Sequence, residues 1–503
     1  MRTSILRPGN LRWMHTITEC GAHLFHDAKG HSAIGKSMGM SDRYFGLLGV
    51  VAFGMCLSTG LPAQAPLPGT ADRPILAATP PMGWNSWDSY GTTVGEPQVK
   101  ANADWMAAHL KQHGWQYVVV DMEWFVSNPI AAGNATNFKY SLDGQGRYTP
   151  ALNRFPSAAE GAGFAPLAAY VHARGLKFGI HILQGIPREA VAKNLPIAGS
   201  SFHATDAANT AGTCSWNHDN FDLKDTAAGQ AYYDSMARLY AGWGVDLIKV
   251  DCIASRPYKG AEIRMLSEAL RKTGRPIVLS LSPGAAPLDK VDEMRKYAQM
   301  WRISDDIWDE WHSDVEYPQG LGDQFSRVAR WAPFSEPGHW PDADMLPLGY
   351  LGPSPGWGKA RQTRLSAAEQ RTLITLWSIF RSPLMMGGDL PHTDAATTAL
   401  LTNDEVLAVD QHSTGGRVVL QSGDASVWTA KPANGKDLYV AIFNISNHAQ
   451  DLSYTWEQLG WPRGRYLLRD LWEHADTGAA KSLTVHLAPH ACALYRATVA
   501  MDR

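Results

Sequence analysis

Short apolar runs alternate with longer segments of helical periodicity over the central part of the chain. Near-continuous apolar runs predict strands that are buried on both faces of a sheet, and they lie at residues 117–120, 176–180, 245–250, 276–280 and 301–304. The segments between them have the apolar spacing of helices, and the clearest lie at 96–113, 162–174, 227–242, 260–273 and 367–380. This α/β alternation favours a (β/α)8 TIM barrel over an open doubly wound sheet. We predict the barrel at residues 75–411.

The pattern changes after residue 411. Short apolar stretches with β-branched and aromatic residues are separated there by polar turns, and they lie at residues 418–420, 425–428, 438–443, 466–468 and 483–487. Closely spaced strands with turns between them are typical of antiparallel sheets. We predict a small C-terminal β-sandwich at residues 412–500.

The N-terminal segment has the pattern of a targeting sequence. Residues 45–57 form an uncharged apolar run that follows Arg43, and 63–65 (AQA) has the spacing of small residues at a signal-peptidase site. We predict an N-terminal extension and signal peptide at residues 1–65, with the signal at about 40–65, and a secreted or periplasmic protein that has no membrane contact after cleavage. The alternative is an uncleaved anchor, although the run is short for crossing a bilayer.

Composition excludes several classes of function. The chain has 45 Lys and Arg against 48 Asp and Glu, a formal net charge of −3, which argues against a nucleic-acid partner. No GxGxxG or GxxxxGK(S/T) motif follows a predicted strand, so nucleotide binding loses its main support. Tryptophan is frequent, with 19 residues against 17 Tyr and 14 Phe. Its rings suit stacking on sugar faces, or packing in a large core.

Acidic residues follow several of the predicted strands. They are Asp121, Asp251, Asp305, Asp306, Asp342 and Asp344. Active sites of (β/α)8 barrels form at the carboxyl ends of the strands, so these side chains are predicted to converge. Paired carboxylates beside aromatic rings, without a phosphate-binding loop, are the equipment for hydrolysis of glycosides.

Basic residues accompany the acidic ones. Lys249 lies two residues before Asp251, so both side chains point to the same side of their strand. A cation there would keep Asp251 ionised, as a nucleophile requires. Arg302 precedes Asp305 and Asp306 and is a candidate to bind a sugar hydroxyl or to orient a carboxylate.

Longer motifs occur in a fixed order between residues 78 and 412. They are 80–87 (PPMGWNSW), 249–251 (KVD), 301–307 (WRISDDI), 340–345 (WPDADM), 382–386 (SPLMM) and 403–411 (NDEVLAVDQ). Together they resemble glycoside hydrolase family 27, the family of α-galactosidases and α-N-acetylgalactosaminidases. The predicted C-terminal sandwich is similar to that of the family as well.

The resemblance implies a retaining double displacement without a metal or an organic cofactor. Asp251 matches the nucleophile of a Lys-x-Asp motif, and Asp306 matches the acid/base of an Arg-x-x-x-Asp motif. Asp305 is the rival for the second role, and the spacing from Arg302 favours Asp306. Retention predicts carboxyl groups about 5–5.5 Å apart.

The resemblance also implies a set of substrate-binding residues. They are Trp87, Asp121, His181, Lys249, Arg302 and Asp344. Two positions depart from the α-galactosidases. Met122 stands where an acidic residue would bind a sugar hydroxyl, and Ser282 with Ala285 resembles the smaller pair of the N-acetylgalactosaminidase branch. The alternative for that pair is a loop that follows another path.

Members of the family often brace the region of the nucleophile with a disulfide, which implies a bond between Cys214 and Cys252. Two separate buried thiols are the alternative. The other tryptophans near the predicted strand ends extend the list of candidate sugar contacts beyond Trp87. They are Trp84, Trp124, Trp301, Trp308, Trp311 and Trp340.

Other chemistries have weaker support. The acidic run at residues 304–314 lacks the glycine spacing of a calcium loop and contains no HExxH, so no metal site is predicted. No GxSxG motif indicates a serine hydrolase. We therefore predict a retaining α-glycosidase that acts on a carbohydrate partner (an oligosaccharide, polysaccharide or glycoconjugate), most simply a terminal α-D-galactoside. The alternatives are an α-N-acetylgalactosaminide, a β-L-arabinopyranoside, an isomaltose-type glucoside, or a non-catalytic sugar-binding protein on the same fold.

Overall fold

The computed structural model describes residues 75–130, 137–315, 317–433 and 435–500. Within these ranges eight parallel strands form one sheet in the order β7-β6-β5-β4-β3-β2-β1-β8. They are β1 (Met82–Asn85), β2 (Tyr117–Val120), β3 (Lys177–Leu183), β4 (Leu247–Asp251), β5 (Val278–Leu281), β6 (Met300–Arg302), β7 (Trp340–Asp342) and β8 (Leu384–Met386). A parallel bridge between Leu346 and Met386 joins the segment after β7 to β8. The predicted (β/α)8 barrel is confirmed.

Helices cover the outside of the sheet, one after each strand. They are α1 (Glu96–His109), α2 (Ala165–His172), α3 (Ala227–Gly242), α4 (Gly260–Lys272), α5 (Val291–Tyr297), α6 (Phe325–Trp331), α7 (Ala367–Phe380) and α8 (Asp404–His412). Local capping fixes some starts: Ser366 accepts from the Glu369 N–H, and the Glu369 carboxylate accepts from the Ser366 N–H. The α1 helix ends before the predicted residue 113 because a 3₁₀ turn at Lys111–His113 leads into Gly114, whose φ is +95°.

The loops between these elements contain further short segments. The helical ones are Trp87–Tyr90, Gly91–Thr93, Pro156–Gly161, Arg188–Ala192, Ala204–Ala207, Leu288–Lys290, Gly322–Gln324, Ala332–Phe334, Leu390–His392 and Ala395–Leu401. Antiparallel strands pair within the loop after β3 (Ile186–Pro187, Ala208–Thr213 and Asn220–Leu223) and within the loop after β7 (Tyr350–Leu351 and Arg361–Gln362).

The barrel strands are apolar on both faces because both faces are buried. On β2, Val119 packs inside the barrel with Leu247 and Val278, whereas Val118 and Val120 pack outward in the layer that contains the helices. Gly83 on β1 permits the close approach of its neighbour, because a Cβ there would lie 2.3 Å from the carbonyl oxygen of Tyr117.

The C-terminal strands form a sandwich, as predicted. They are β9 (Ser413–Gln421), β10 (Ala425–Pro432), β11 (Leu438–Asn444), β12 (Gln450–Thr455), β13 (Tyr466–Asp470), β14 (Ala475–Ala480), β15 (Ser482–Leu487) and β16 (Cys492–Val499). In the described chain the larger sheet has six strands in the order β9-β10-β11-β16-β13-β14, and β12 pairs with β15.

The larger sheet of the sandwich is buried on both sides. Val427 and Val440 face the small sheet, whereas Trp428 and Phe443 belong to the same hydrophobic core as the barrel. The Phe443 ring lies 5.2 Å from that of Phe325 on α6. The barrel and the sandwich therefore share a continuous apolar interior.

The predicted extension and signal peptide at residues 1–65 lie outside the described residues. In the ranges that the structure does describe, no helix combines the length and apolar content needed to cross a membrane.

The shared core predicts that damage at the junction lowers the stability of the enzyme as a whole. Phe443→Ala should reduce the free energy of unfolding by about 3–5 kcal/mol, because it leaves a cavity in a fully buried site. Urea denaturation followed by tryptophan fluorescence measures the change. Leu467→Ala, at a side chain that is 51% exposed on the same sandwich, is the control. A loss at Phe443 no larger than that of the control would contradict the shared core.

Candidate active site

A cavity of about 620 Å³ opens at the carboxyl ends of the barrel strands. Six of the sequence-predicted site residues line it within the described chain: Trp87, Asp121, Met122, Lys249, Asp251 and Asp306. Strand ends supply most of them, since Asp121 follows β2 directly and Asp251 ends β4. Parallel strands bring side chains that are distant along the chain to one edge of the sheet.

A larger cavity, of about 840 Å³, lies at the opposite end of the barrel, where β2 and β3 begin. The acidic side chain in the lining of this cavity, Asp246, already forms an ion pair with Arg275 and contacts the ring of His172. This end therefore offers no pair of carboxylates, as far as the described residues extend, and the smaller cavity is the candidate site.

Asp251 is buried, and its surroundings favour the ionised form. Nε2 of His181, on the neighbouring strand β3, lies 3.0 Å from its Oδ2. Burial by itself would raise the pKa of Asp251, but His181 and the Lys249 ammonium outweigh it and hold that pKa well below the usual value. An ionised carboxylate at the cavity wall is suited to nucleophilic attack.

Lys249 connects the ends of β2 and β4. Its Nζ donates to Oδ2 of Asp121 at 2.9 Å, and Nδ2 of Asn85 donates to the same oxygen at 2.7 Å. Burial would lower the pKa of Lys249, but Asp121 and Asp251 raise it above its ordinary value. The same ammonium keeps the pKa of Asp121 low against the effect of burial. Asp121 is thus an ionised hydrogen-bond acceptor on the wall.

Asp306 is held by Arg302. The guanidinium donates to Oδ1 of Asp306 at 3.1 Å and to Oδ2 of Asp344 at 2.6 Å. The Asp306 side chain is 25% exposed, whereas that of Arg302 is 3% exposed beneath it. Burial, together with repulsion from Asp306 and Asp342, raises the pKa of Asp344 to about 8. Arg302 therefore joins Asp306, at the cavity surface, to Asp344, which is buried behind it.

Asp305 also lines the cavity but is paired differently. Both of its oxygens accept from Arg256: Nη1 donates to Oδ2 at 3.0 Å, and Nη2 donates to Oδ1. A carboxylate in such a bidentate pair is held as an acceptor. The geometry therefore favours Asp306 over Asp305 as the proton donor.

Several of the predicted site residues do not line the cavity in the part of the chain that the structure describes. His181, Ser282, Arg302 and Asp344 are buried behind it, where they contact or perturb the wall carboxylates. Ala285 is exposed. The Ser282–Ala285 pair was expected in the cavity wall, but Pro283 lines the cavity instead.

Most of the candidate tryptophans pack in the core. Trp84, Trp124, Trp301, Trp308 and Trp340 are each at most 1% exposed. Trp311 stacks on the ring of His490, with 3.8 Å between ring centroids. Of the tryptophans predicted to contact sugar, Trp87 is the one that lines the cavity in the described chain.

Sequence reasoning missed part of the wall. The missed lining residues are Thr92, Trp216, Arg256, Tyr317, Gly356 and Trp357. All lie in loops without periodicity, and the position of Trp216 two residues after Cys214 is the one signal that the sequence offered.

The structure contains the disulfide between Cys214 and Cys252, with the two Cα atoms 5.5 Å apart. Cys252 directly follows Asp251, so the bond fastens the Cys214 loop to the end of β4. In the described ranges, no group of three or more His, Cys, Asp or Glu side chains is placed to hold a metal ion.

Comparisons with known proteins identify the family of the chain. Residues 224–412 match the family model described as alpha galactosidase A, and residues 422–497 match that of the alpha-galactosidase C-terminal beta sandwich domain. The alpha-galactosidase of Coffea arabica is 30% identical over 426 residues, which cover 82% of this chain and 94% of that protein.

Solved structures are more similar still. The GH27 β-L-arabinopyranosidase of Geobacillus stearothermophilus is 47% identical with a TM-score of 0.82, covering 85% of this chain and 98% of that one. A putative α-N-acetylgalactosaminidase of Bacillus halodurans is 41% identical with a TM-score of 0.75, covering 84% and 97%.

The fold, the paired carboxylates and these matches define an enzyme, a glycosidase built on a (β/α)8 barrel. The chain belongs to glycoside hydrolase family 27, whose members act with retention of anomeric configuration.

The charges around Asp251 predict a change in pH dependence. Lys249→Met removes a cation that lowers the pKa of Asp251, so that pKa should rise. The acidic limb of the pH profile of kcat/KM should then move to higher pH by roughly 1–3 units. Lys177→Met, at an exposed lysine at the start of β3, is the matched control and should leave the limb in place. An unmoved limb in Lys249→Met would contradict this role of the ammonium.

Proposed function

We propose that the enzyme hydrolyses terminal pyranosides of galacto configuration with retention, and that it prefers β-L-arabinopyranosides to α-D-galactosides. Met122 is the observation on which this preference rests. It lines the cavity beside Asp121, at the position where the family resemblance implies an acidic residue that binds a sugar hydroxyl.

The two sugars differ in one group. β-L-arabinopyranose has the ring configuration of α-D-galactopyranose but lacks the hydroxymethyl substituent at C5. A thioether cannot hydrogen-bond the 6-hydroxyl as a carboxylate does, so Met122 favours the sugar without it. The 47% identity to the β-L-arabinopyranosidase of Geobacillus stearothermophilus supports the same preference. The exposed position of Ala285 gives no support to an acetamido subsite.

The proposed reaction has two steps. The Asp251 carboxylate attacks the anomeric carbon, the bond to the leaving oxygen breaks, and Asp306 gives its proton to that oxygen. Asp306, now a carboxylate, takes a proton from water as the water oxygen attacks the anomeric carbon and releases Asp251. Asp121 and Lys249 would bind sugar hydroxyls during both steps, since both line the cavity.

We also propose an exported enzyme. Residues 40–65 have the pattern of a signal peptide, and the disulfide between Cys214 and Cys252 suits an oxidising compartment.

Initial rates on nitrophenyl glycosides test the proposed sugar preference. We expect kcat/KM on the β-L-arabinopyranoside to exceed that on the α-D-galactopyranoside by roughly 10-fold to 100-fold, with little turnover of the α-N-acetylgalactosaminide or α-glucoside. Met122→Asp should shift the ratio toward the galactoside by at least about 10-fold, while Met122→Leu should keep the preference. A faster galactoside in the natural enzyme, or a ratio that Met122→Asp does not move, would defeat the proposal.

Substitution of each carboxylate tests the proposed roles of Asp251 as nucleophile and Asp306 as acid/base. Asp306→Ala should lower kcat by roughly 10²–10⁴-fold on a methyl glycoside, and by less on a nitrophenyl glycoside, whose leaving group needs little protonation. Azide should rescue Asp251→Ala with an inverted glycosyl azide product and Asp306→Ala with a retained one, as read by NMR. Asp305→Asn should keep the leaving-group dependence of the natural enzyme. The assignment of Asp306 is wrong if Asp305→Asn shows the stronger dependence.

A further inference from the structure

The proposed acid/base, Asp306, stands at one end of a short segment whose other end reaches the C-terminal sandwich. This acid/base segment, residues 306–311, pairs with a second stretch of the same loop through backbone hydrogen bonds. The Gln319 N–H donates to the carbonyl oxygen of Asp306 at 2.9 Å, and the Gly322 N–H donates to that of Trp311 at 2.7 Å. Contiguous hydrogen-bonded elements can couple distant groups, so a contact at Trp311 bears on the position of Asp306.

The Trp311 ring lies on a histidine of the sandwich. It stacks on His490, with 3.8 Å between the ring centroids and 7° between the ring planes. His490 belongs to the turn between β15 and β16. The dispersion energy of two flat rings in contact is lost when either ring moves away, so His490 determines where Trp311 lies.

His490 is itself held from both edges of its ring. Nδ1 lies 2.7 Å from Oε1 of Glu369, and Nε2 lies 2.8 Å from Oδ1 of Asn447. The carbonyl oxygen of His490 also accepts from the Thr372 hydroxyl at 2.7 Å. Glu369 and Thr372 belong to α7 of the barrel, whereas Asn447 follows β11 in the sandwich. The His490 ring is therefore a fixed surface against which Trp311 packs.

The barrel holds the same segment at a second point. The Asp309 carboxylate is fully buried, and it accepts from Nε of Arg361 at 2.8 Å and from Nη2 of Arg364 at 3.1 Å. Both arginines belong to the loop after β7. A segment held at one point can still pivot about it, whereas a second contact, at Trp311, fixes its direction.

We propose that His490 is a positioning residue for proton transfer. Through its stack on Trp311 it holds the acid/base segment in the direction that brings Asp306 to the leaving oxygen and then to the attacking water. The sandwich thus contributes to catalysis in the barrel, although in the described chain it does not line the cavity. This inference rests on the proposed function, in which Asp306 is the acid/base.

Two leaving groups on one sugar test the proposal. The sugar is the one that the natural enzyme hydrolyses faster, so the test does not depend on the preference for arabinopyranosides. A methyl glycoside needs a proton on its leaving oxygen, whereas a dinitrophenyl glycoside does not. His490→Ala should therefore lower kcat/KM about 10-fold on the methyl glycoside and less than about 2-fold on the dinitrophenyl glycoside. Trp311→Ala should do the same, and Trp311→Phe, which keeps a ring on the histidine, should restore most of the loss.

Azide gives a second measurement, on the second step. Its nitrogen bonds to the anomeric carbon as the bond to Asp251 breaks, and no proton has to be removed. With the dinitrophenyl glycoside, azide should raise kcat of His490→Ala by at least about 3-fold and give a glycosyl azide of retained configuration. A partly unfolded preparation would lose rate equally on both leaving groups and would not respond to azide. His486→Ala, at a histidine of β15 whose side chain is 70% exposed, is the matched control and should change neither measurement.

Asp306→Ala is the reference for both measurements. If it shows the leaving-group dependence and the azide response while His490→Ala shows neither, the positioning role is overturned. Equal losses on the two leaving groups in His490→Ala overturn it as well. If Asp306→Ala itself shows neither signature, the assignment of Asp306 in the proposed function fails, and the role of His490 fails with it.

Discussion

The buried carboxylates Asp121 and Asp251 have lowered pKa values because the Lys249 ammonium is buried with them, and the active site depends on that pairing. An isolated charge in the interior is strongly destabilised, and removal of one partner leaves the other uncompensated. The positive charge of Lys249 compensates the negative charges of Asp121 and Asp251. That of Arg302 compensates the charges of Asp306 and Asp344. Lys249 therefore keeps the pKa of Asp251 low, in addition to compensating buried charge.

The two groups of charge have opposite consequences for protons. Around Lys249 and His181 the pKa of Asp251 is low, which favours a nucleophile. Around Arg302, burial and the neighbouring carboxylates Asp306 and Asp342 raise the pKa of Asp344. A retaining glycosidase needs one carboxyl group to attack and another to donate a proton. In the proposed reaction these are Asp251, which ends β4, and Asp306, which follows β6.

The inner wall and the mouth of the cavity are built from different parts of the fold. The inner wall comes from strand ends, such as Asp121 and Lys249, whose positions are set by the hydrogen-bond register of the sheet. The mouth comes from loops, which are held by a disulfide and by hydrogen bonds to the Asp306 segment. The inner wall is therefore fixed by the barrel, whereas the mouth depends on the paths of the loops.

The barrel, the sandwich and the family were accessible from the sequence by itself, because periodicity reports burial and the ordered motifs lie at strand ends. The helices at 227–242 and 367–380 were predicted at their observed bounds, and Asp251 and Asp306 were named from their motifs. Tertiary structure alone decided that Arg256 pairs with Asp305, that Ala285 is not part of the cavity lining, and that Trp216 and Tyr317 belong to it. Those outcomes depend on loop paths that bring distant residues together. The spacing of residues along the chain does not predict such paths.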